Sequence, residues 1–265
     1  MARGRTQTVI AARFDGRETR RGPDELIVEE PLQIRLDDVL VTTTMRTPGN
    51  DFELAAGFCF TEGLLAGAKV QQCRYCGTGS AVDTEFNVVS VETDGVAPVP
   101  TPRLTTTTSS CGVCGSESID ELATRLDPLA VGDRFALDLL VSIPDRAREH
   151  QELFDSTGGV HAAAAFDRVG AVHLVREDVG RHNAVDKVIG RMLLDDLLPA
   201  NELGIAVSGR ASFEIVQKAW AAGFGAVVAV SAPSSLAVET ARRANITLAG
   251  FARDGSLNLY TEPHG

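Results

Sequence analysis

Residues 204–252 read GIAVSGRASFEIVQKAWAAGFGAVVAVSAPSSLAVETARRANITLAGFA, and their rhythm decides the fold. Short apolar runs at 204–208, 226–231 and 247–252 have the length and composition of strands. Between them, 212–222 and 235–244 carry apolar residues at three- and four-residue spacing, which predicts amphipathic helices. Strands separated by helices imply parallel pairing, because each crossover returns the chain to the same end of the sheet. The rhythm begins earlier, with a strand at 171–175 and a helix at 181–194, and closes with a strand at 256–261. An α/β layer structure over residues 117–265 follows. Ligands of such sheets gather at the carboxyl ends of the strands, where loops meet helix N-termini. Those loops are Glu177–His182, Ser208–Ser212 and Ser231–Ser235. All are small and polar, and two carry an arginine, Arg181 or Arg210.

Upstream, Glu25–Glu29, Leu32–Leu36 and Val39–Met45 read as strands of a half-buried antiparallel sheet, and Val88–Val91 as another strand. Asn50 and Glu53 make a capping pattern for a helix that runs through Phe60 and stops at Gly63. Cys59 shares its apolar stripe with Leu54, Ala55 and Phe58 and reads as a core residue. Residues 23–108 thus form a smaller β-rich domain. Residues 1–22, with six arginines against Asp15 and Glu18, read as a frayed basic tail. A Pro/Thr/Ser-rich linker spans 94–110, and helical patterns return at 117–126 and near 144–154.

The chain has 265 residues, 44% hydrophobic, enough for one large core or two smaller ones. No apolar run reaches the length of a membrane span, and no secretory signal precedes the fold. A cytoplasmic location is expected, where five cysteines, an odd number, stay reduced. A formal charge of −11 excludes non-specific attraction to nucleic acid.

The reactive candidate is Ser109-Ser-Cys111-Gly-Val-Cys114-Gly-Ser116. Glycines uncover both thiols, and Ser118 with Glu121 marks a helix start just downstream. The positive end of a helix stabilises a thiolate. With Cys73 and Cys76 the thiols read C-x2-C-x34-C-x2-C, which admits a four-cysteine zinc site and a structural adaptor role. A thioredoxin-like dithiol would follow a strand directly, whereas a Thr/Ser run precedes this one. A mobile sulfur relay is the third reading. Spacing does not choose between Cys111 and Cys114.

Two further sets carry chemistry. His182 follows Asp178 by four positions at a helix start, so the carboxylate can orient the imidazole or simply cap the helix. His161 precedes a run of alanines. Ser208 and Arg210, with Arg181 on the neighbouring loop, make an anion site suited to a phosphate-bearing ligand, although the lysine of a Walker sequence is missing.

Taken in order, these segments resemble the formate dehydrogenase accessory sulfurtransferases, the FdhD family. The matching stretches are Asp51–Phe58, Cys111-Gly-Val-Cys114-Gly, Gly159-Val-His161-Ala-Ala-Ala, Glu177–Lys187, Ser208–Lys218, Leu236–Glu239 and Asn245–Arg253. The resemblance implies a cytoplasmic protein that takes sulfur from a cysteine desulfurase and passes it to the molybdenum cofactor. It further implies the bis-molybdopterin guanine dinucleotide form and formate dehydrogenase as recipient. It puts the persulfide on Cys111, with Cys114 as an auxiliary thiol. It puts cofactor contacts on Phe251, Ala252, Arg253, Asp254, Gly255 and Ser256, and the polar loops would add Asp178, Arg181, His182, Ser208 and Arg210. A three-layer, cytidine-deaminase-like fold is implied for the larger domain. Deaminases pair H-x-E with a downstream P-C-x-x-C. Here Ala163 stands where that glutamate would be, and the C-x-x-C lies upstream, so deamination is not expected. A homodimer is expected for a chain of this size.

Overall fold

A computed structural model of the chain describes residues 4–75, 85–100, 122, 124–132 and 135–262. Cys76, Cys111, Cys114 and the Ser118–Glu121 helix start lie outside the described residues, as does most of the 94–110 linker. The strands are β1 (Thr6–Phe14), β2 (Thr19–Ile27), β3 (Glu30–Leu36), β4 (Val39–Arg46), β5 (Gln72–Tyr75), β6 (Val88–Glu92), β7 (His161–Phe166), β8 (Val172–Asp178), β9 (Gly204–Val207), β10 (Ala226–Ala229), β11 (Thr247–Arg253) and β12 (Ser256–Thr261). The helices are α1 (Asp51–Thr61), α2 (Leu137–Arg148), α3 (Glu152–Thr157), α4 (Arg181–Leu194), α5 (Phe213–Ala222) and α6 (Ser235–Ala244). No helix among the described residues is long and apolar enough to cross a membrane.

The larger sheet has the order β12-β11-β10-β9-β7-β8. β9, β10 and β11 pair in parallel, as the strand–helix rhythm requires. β7 departs from that rhythm. It lies between β8 and β9 and is antiparallel to both, so α4 crosses over an interposed strand. Its run of four alanines favours helix by intrinsic propensity. Burial overrides that preference: Ala163 and Ala165 enter one core, Ala164 and Phe166 the other. β12 returns antiparallel to β11 through Asp254-Gly255, both at positive φ, the pairing a tight right-twisted hairpin demands.

Three layers result. Apolar residues of α4, α5 and α6, such as Val188, Val216 and Ala241, pack with Ile205, Val227 and Leu248 on one face of the sheet. On the other face Leu140, Ile143 and Ala147 of α2 meet Ala206, Val228 and Ala249. The sequence predicts a single helix near 144–154. The chain instead breaks between Arg148 and Glu152, where His150 and Gln151 donate to the carbonyls of Ala147 and Arg148.

The smaller sheet has the order β4-β3-β6-β5, with the β3–β4 pairing antiparallel as expected and β3–β6 parallel. α1 lies on it, and Cys59 is fully buried there with Leu54 and Ala55. The capping pattern at Asn50 is not formed. Asn50 adopts a left-handed conformation without a side-chain cap bond, and Glu53 is buried in an ion pair with Arg176 of β8. The two layers join where α1 crosses α4 at a pair of glycines. A Cβ on Gly57 would lie 1.9 Å from the Asp186 carbonyl oxygen, and one on Gly190 would lie 1.8 Å from that of Glu53. Beneath the crossing, Lys218 Nζ reaches Asp186 Oδ1 and Thr61 Oγ1, each at 2.9 Å.

Residues 6–22, read from their charge as part of a frayed tail, lie instead in paired strands and the turn between them. β1 and β2 pair over their whole length as a two-stranded antiparallel ribbon, because Val9, Ile10, Phe14, Leu26 and Ile27 give the segment strand character that six arginines obscure.

Candidate functional site

β7, β9 and β11 bring their site-bearing ends together on the α2 side of the sheet. β7 starts where β9 and β11 finish, because it runs the other way. The result is a cleft of about 580 Å³ at the carboxyl ends of the parallel strands. His161, Ser208, Ala252 and Arg253 line it, with Arg148 of α2 and Phe154 of α3 forming the opposite wall. Its size suits a small-molecule ligand. The alanines of β7 and β9 leave the space open, since a larger residue at Ala162 or Ala206 would fill it.

Ser208 ties the floor together. Its Oγ accepts a hydrogen bond from the Ala162 amide at 2.9 Å and lies 3.5 Å from His161 Nδ1. Burial, then the nearby Arg181 and His182, lower the pKa of His161, against a smaller upward pull from Asp178. The imidazole is thereby biased toward its neutral form. Arg148 stacks 4.6 Å from the centre of the Phe154 ring, so the wall has both a cation and an apolar face.

Arg181 starts α4 beside His161. Gly209 fits between them, and a Cβ there would sit 3.5 Å from His161 and 3.8 Å from Arg181 Cδ. Arg181 Nε is buried and has no hydrogen-bond partner among the described residues. A buried donor left unpaired is costly, and an anion at this helix N-terminus would satisfy it. Arg210 is exposed on the next loop.

The carboxylate that reaches His182 is Glu214 of α5, not Asp178. His182 Nε2 lies 3.3 Å from Glu214 Oε2 and 3.2 Å from Ser212 Oγ, which donates to Glu214 at 2.8 Å. That contact with His182 pulls the Glu214 pKa from its usual 4.5 down to about 2. Asp178 is fully buried and already committed. It pairs with Lys187 at 2.7 Å and accepts from the amides of Thr47 and Gly180 and from Asn183 Nδ2. Lys187 also donates to the Thr47 carbonyl. The pair therefore fixes the loop that presents Arg181 and His182. Lys187→Met leaves a buried carboxylate unpaired and is expected to cost about 3–5 kcal/mol in urea unfolding. Removing both charges in Asp178→Leu/Lys187→Met is expected to cost less than the sum of the two single changes, because the donors that Asp178 also serves lose their acceptor in either case. Additive losses would show that the two groups are not coupled.

Within the stretch Phe251–Ser256, Ala252 and Arg253 face the cleft. Phe251 has a φ of 52° and donates its amide to the Ser231 carbonyl at 3.1 Å, tying β11 to the loop after β10. Asp254, Gly255 and Ser256 form the exposed turn into β12.

A family model described as FdhD/NarQ matches residues 27–265. The chain belongs to the FdhD/NarQ family. The sulfur carrier protein FdhD of Streptomyces avermitilis is 48% identical over 252 residues, covering 91% of this chain and 89% of that one. The protein of the same name from Mycobacterium tuberculosis is 48% identical over 249 residues, 90% of each chain. The crystal structure of a candidate formate dehydrogenase accessory protein from Desulfotalea psychrophila covers 98% of both chains with a TM-score of 0.77. At 23% identity it establishes the likeness of fold.

In this FdhD/NarQ chain the two described cysteines are poor reagents. Burial raises the Cys59 thiol far above its ordinary range, and burial, then Glu92, pushes Cys73 up to about 12. Cys73 sits on β5 with its thiol directed at the Phe52 carbonyl, 4.0 Å away. Of the four cysteines of the zinc alternative only Cys73 lies among the described residues, and relatives named as sulfur carriers do not favour that adaptor. Arg148, Phe154 and Glu214 escape the sequence reading. Only the pair Ser212 and Glu214 at the start of α5 hints at a polar cluster there.

Proposed function

We propose that this chain is a sulfur carrier. It accepts sulfur from a cysteine desulfurase on Cys111 and delivers it to the bis-molybdopterin guanine dinucleotide form of the molybdenum cofactor, destined for formate dehydrogenase. The observation that carries this reading is 48% identity, over 91% of the chain, to a relative named as a sulfur carrier protein.

In the loading step the Cys111 thiolate attacks the outer sulfur of the donor persulfide. A sulfur–sulfur bond forms, the donor bond breaks, and the donor cysteine leaves as a thiolate. In the release step the Cys114 thiolate attacks Cys111 sulfur. The outer sulfur leaves as sulfide toward the acceptor, a Cys111–Cys114 disulfide forms, and an external thiol reductant restores both thiols. Such thiols persist in a reducing cytoplasm.

The cofactor is the sulfur acceptor, hence a substrate, and the cleft of about 580 Å³ suits one nucleotide end of it. Its planar heterocycles match the apolar floor and the Phe154 wall. Its phosphates match Arg253, Arg148 and the unpaired Nε of Arg181. We read the larger domain as a deaminase-like scaffold in which Ala163 removes the proton-shuttling group while His161 and the cleft remain. Arg181→Met and Arg253→Met are each expected to weaken cofactor binding about 10–100-fold, the loss of a charge-assisted hydrogen bond. Equilibrium binding reads this, and sulfur loading on Cys111 serves as the control for an intact fold. Unchanged affinity in both variants would remove the cleft as the acceptor site.

A further inference from the structure

β11 loses its alternation where it meets the cleft. Leu248 packs in the core on the α4–α6 side of the sheet and Ala249 in the core on the α2 side. A regular strand would return Ala252 to the Leu248 side, away from the cleft. Ala252 instead lies fully buried in the α2-side core and lines the cleft beside Arg253. The register gives the cause. Gly250 pairs with Asn258 and Arg253 with Ser256, so Phe251 and Ala252 together stand opposite Leu257 alone. That is a β-bulge, a device that re-aims side chains next to a site. Its first residue, Phe251, has a φ of 52°, the left-handed conformation that glycine ordinarily supplies there. A bulky L-residue is strained in that region, and the strain persists only where the surroundings fix it.

The neighbouring loops fix it here. The Phe251 amide donates to the Ser231 carbonyl at 3.1 Å, and the Ser231 amide donates to the Gly209 carbonyl at 3.2 Å. Gly209 abuts the cleft floor, since a Cβ there would sit 3.5 Å from His161. Gly250 is closed in as well, because a Cβ on it would lie 2.9 Å from Pro233 Cδ. Backbone contacts thus run unbroken from the bulge to His161, and they set where Arg253 leaves the sheet relative to that floor. Phe251 is itself half-buried, and among the described residues it is its two successors that line the cleft.

We propose that Phe251 is a positioning residue, whose left-handed backbone holds the bulge and so aims Ala252 and Arg253 at a phosphate-bearing ligand. The proposal rests on the cleft being the acceptor site. Equilibrium binding of guanosine diphosphate, the nucleotide end of the proposed acceptor, to the full chain tests it. Phe251→Val keeps an apolar side chain but resists positive φ, and is expected to bind about tenfold more weakly than wild type. Phe251→Asn and Phe251→Gly lose the ring yet adopt the left-handed backbone readily. Each is expected to bind several-fold more tightly than Phe251→Val. Phe251→Ala should fall between, which keeps the comparison open if the valine variant does not fold. Adding Arg253→Met to Phe251→Val or Phe251→Ala is expected to cost less than Arg253→Met alone, because the guanidinium is already displaced. Wild-type affinity in Phe251→Val overturns the proposal. So do asparagine and glycine variants as weak as the valine or alanine one, which would assign the effect to the ring, or fully additive losses in the double variant. A wild-type chain that loads sulfur on Cys111 but does not bind the nucleotide overturns the cleft as acceptor site, and this proposal with it.

Discussion

Replacement of Cys111 by alanine is expected to abolish sulfur loading, reducing transfer from a cysteine desulfurase by roughly a thousandfold or more, to background. The size of the effect also reflects the two other thiols among the described residues. Cys59 is sealed in the core with α1, and burial pushes the Cys73 thiol up to about 12. At pH 8 it therefore stays protonated. Neither can take over as nucleophile. Cys114→Ser separates the two steps, since it keeps loading on Cys111 but slows release by removing the resolving thiol. Transfer of labelled sulfur from cysteine to the chain, and from the chain to the cofactor, reads both. Full loading of the Cys111→Ala protein would place the carrier sulfur elsewhere.

The second large effect belongs to the scaffold. Gly57→Ala or Gly190→Ala forces a methyl group into backbone across the α1–α4 crossing, at less than 2 Å in either case. The clash is with carbonyl groups, not with flexible side chains, so the helices themselves must separate. That separation pulls on the Glu53–Arg176 pair and on the buried Lys218–Asp186 contact. Each variant is expected to lose on the order of 3 kcal/mol. The melting temperature should fall by roughly 6–12 °C for a chain of this length. Gly22→Ala, where nothing lies within 4 Å, is the control and should change little. Wild-type stability in Gly57→Ala would mean that the two layers are not locked at this crossing.

The α/β rhythm from 204 onward was legible because strand and helix periods differ and each element there is amphipathic in its own way. β7 was not, because four alanines carry no periodicity. Only burial on both faces makes them a strand, and that burial depends on α2 and α4 from distant sequence. The consequence reaches the site, since β7 is what places His161 beside Ser208. Arg181 and Ser208 were legible as parts of small polar loops at strand ends, the places where α/β sheets bind ligands, whereas Arg253 entered through the family resemblance alone. Asp178 misled for a physical reason. Its spacing to His182 fits an orienting carboxylate, yet Lys187, two turns along α4, claims it first. Glu214 is the converse case, a partner supplied by tertiary packing of α4 against α5. The ribbon was hidden by its own charge, because arginines on a two-stranded element stay in solvent without breaking it.

The central claim is that Cys111 carries sulfur. Its most direct test is the mass of the chain, mapped to peptides, after incubation with a cysteine desulfurase and cysteine. The account predicts a gain of about 32 Da, one sulfur atom, on the Cys111 peptide, removed by a thiol reductant. No gain, or a gain kept in full by the Cys111→Ala protein, would contradict it.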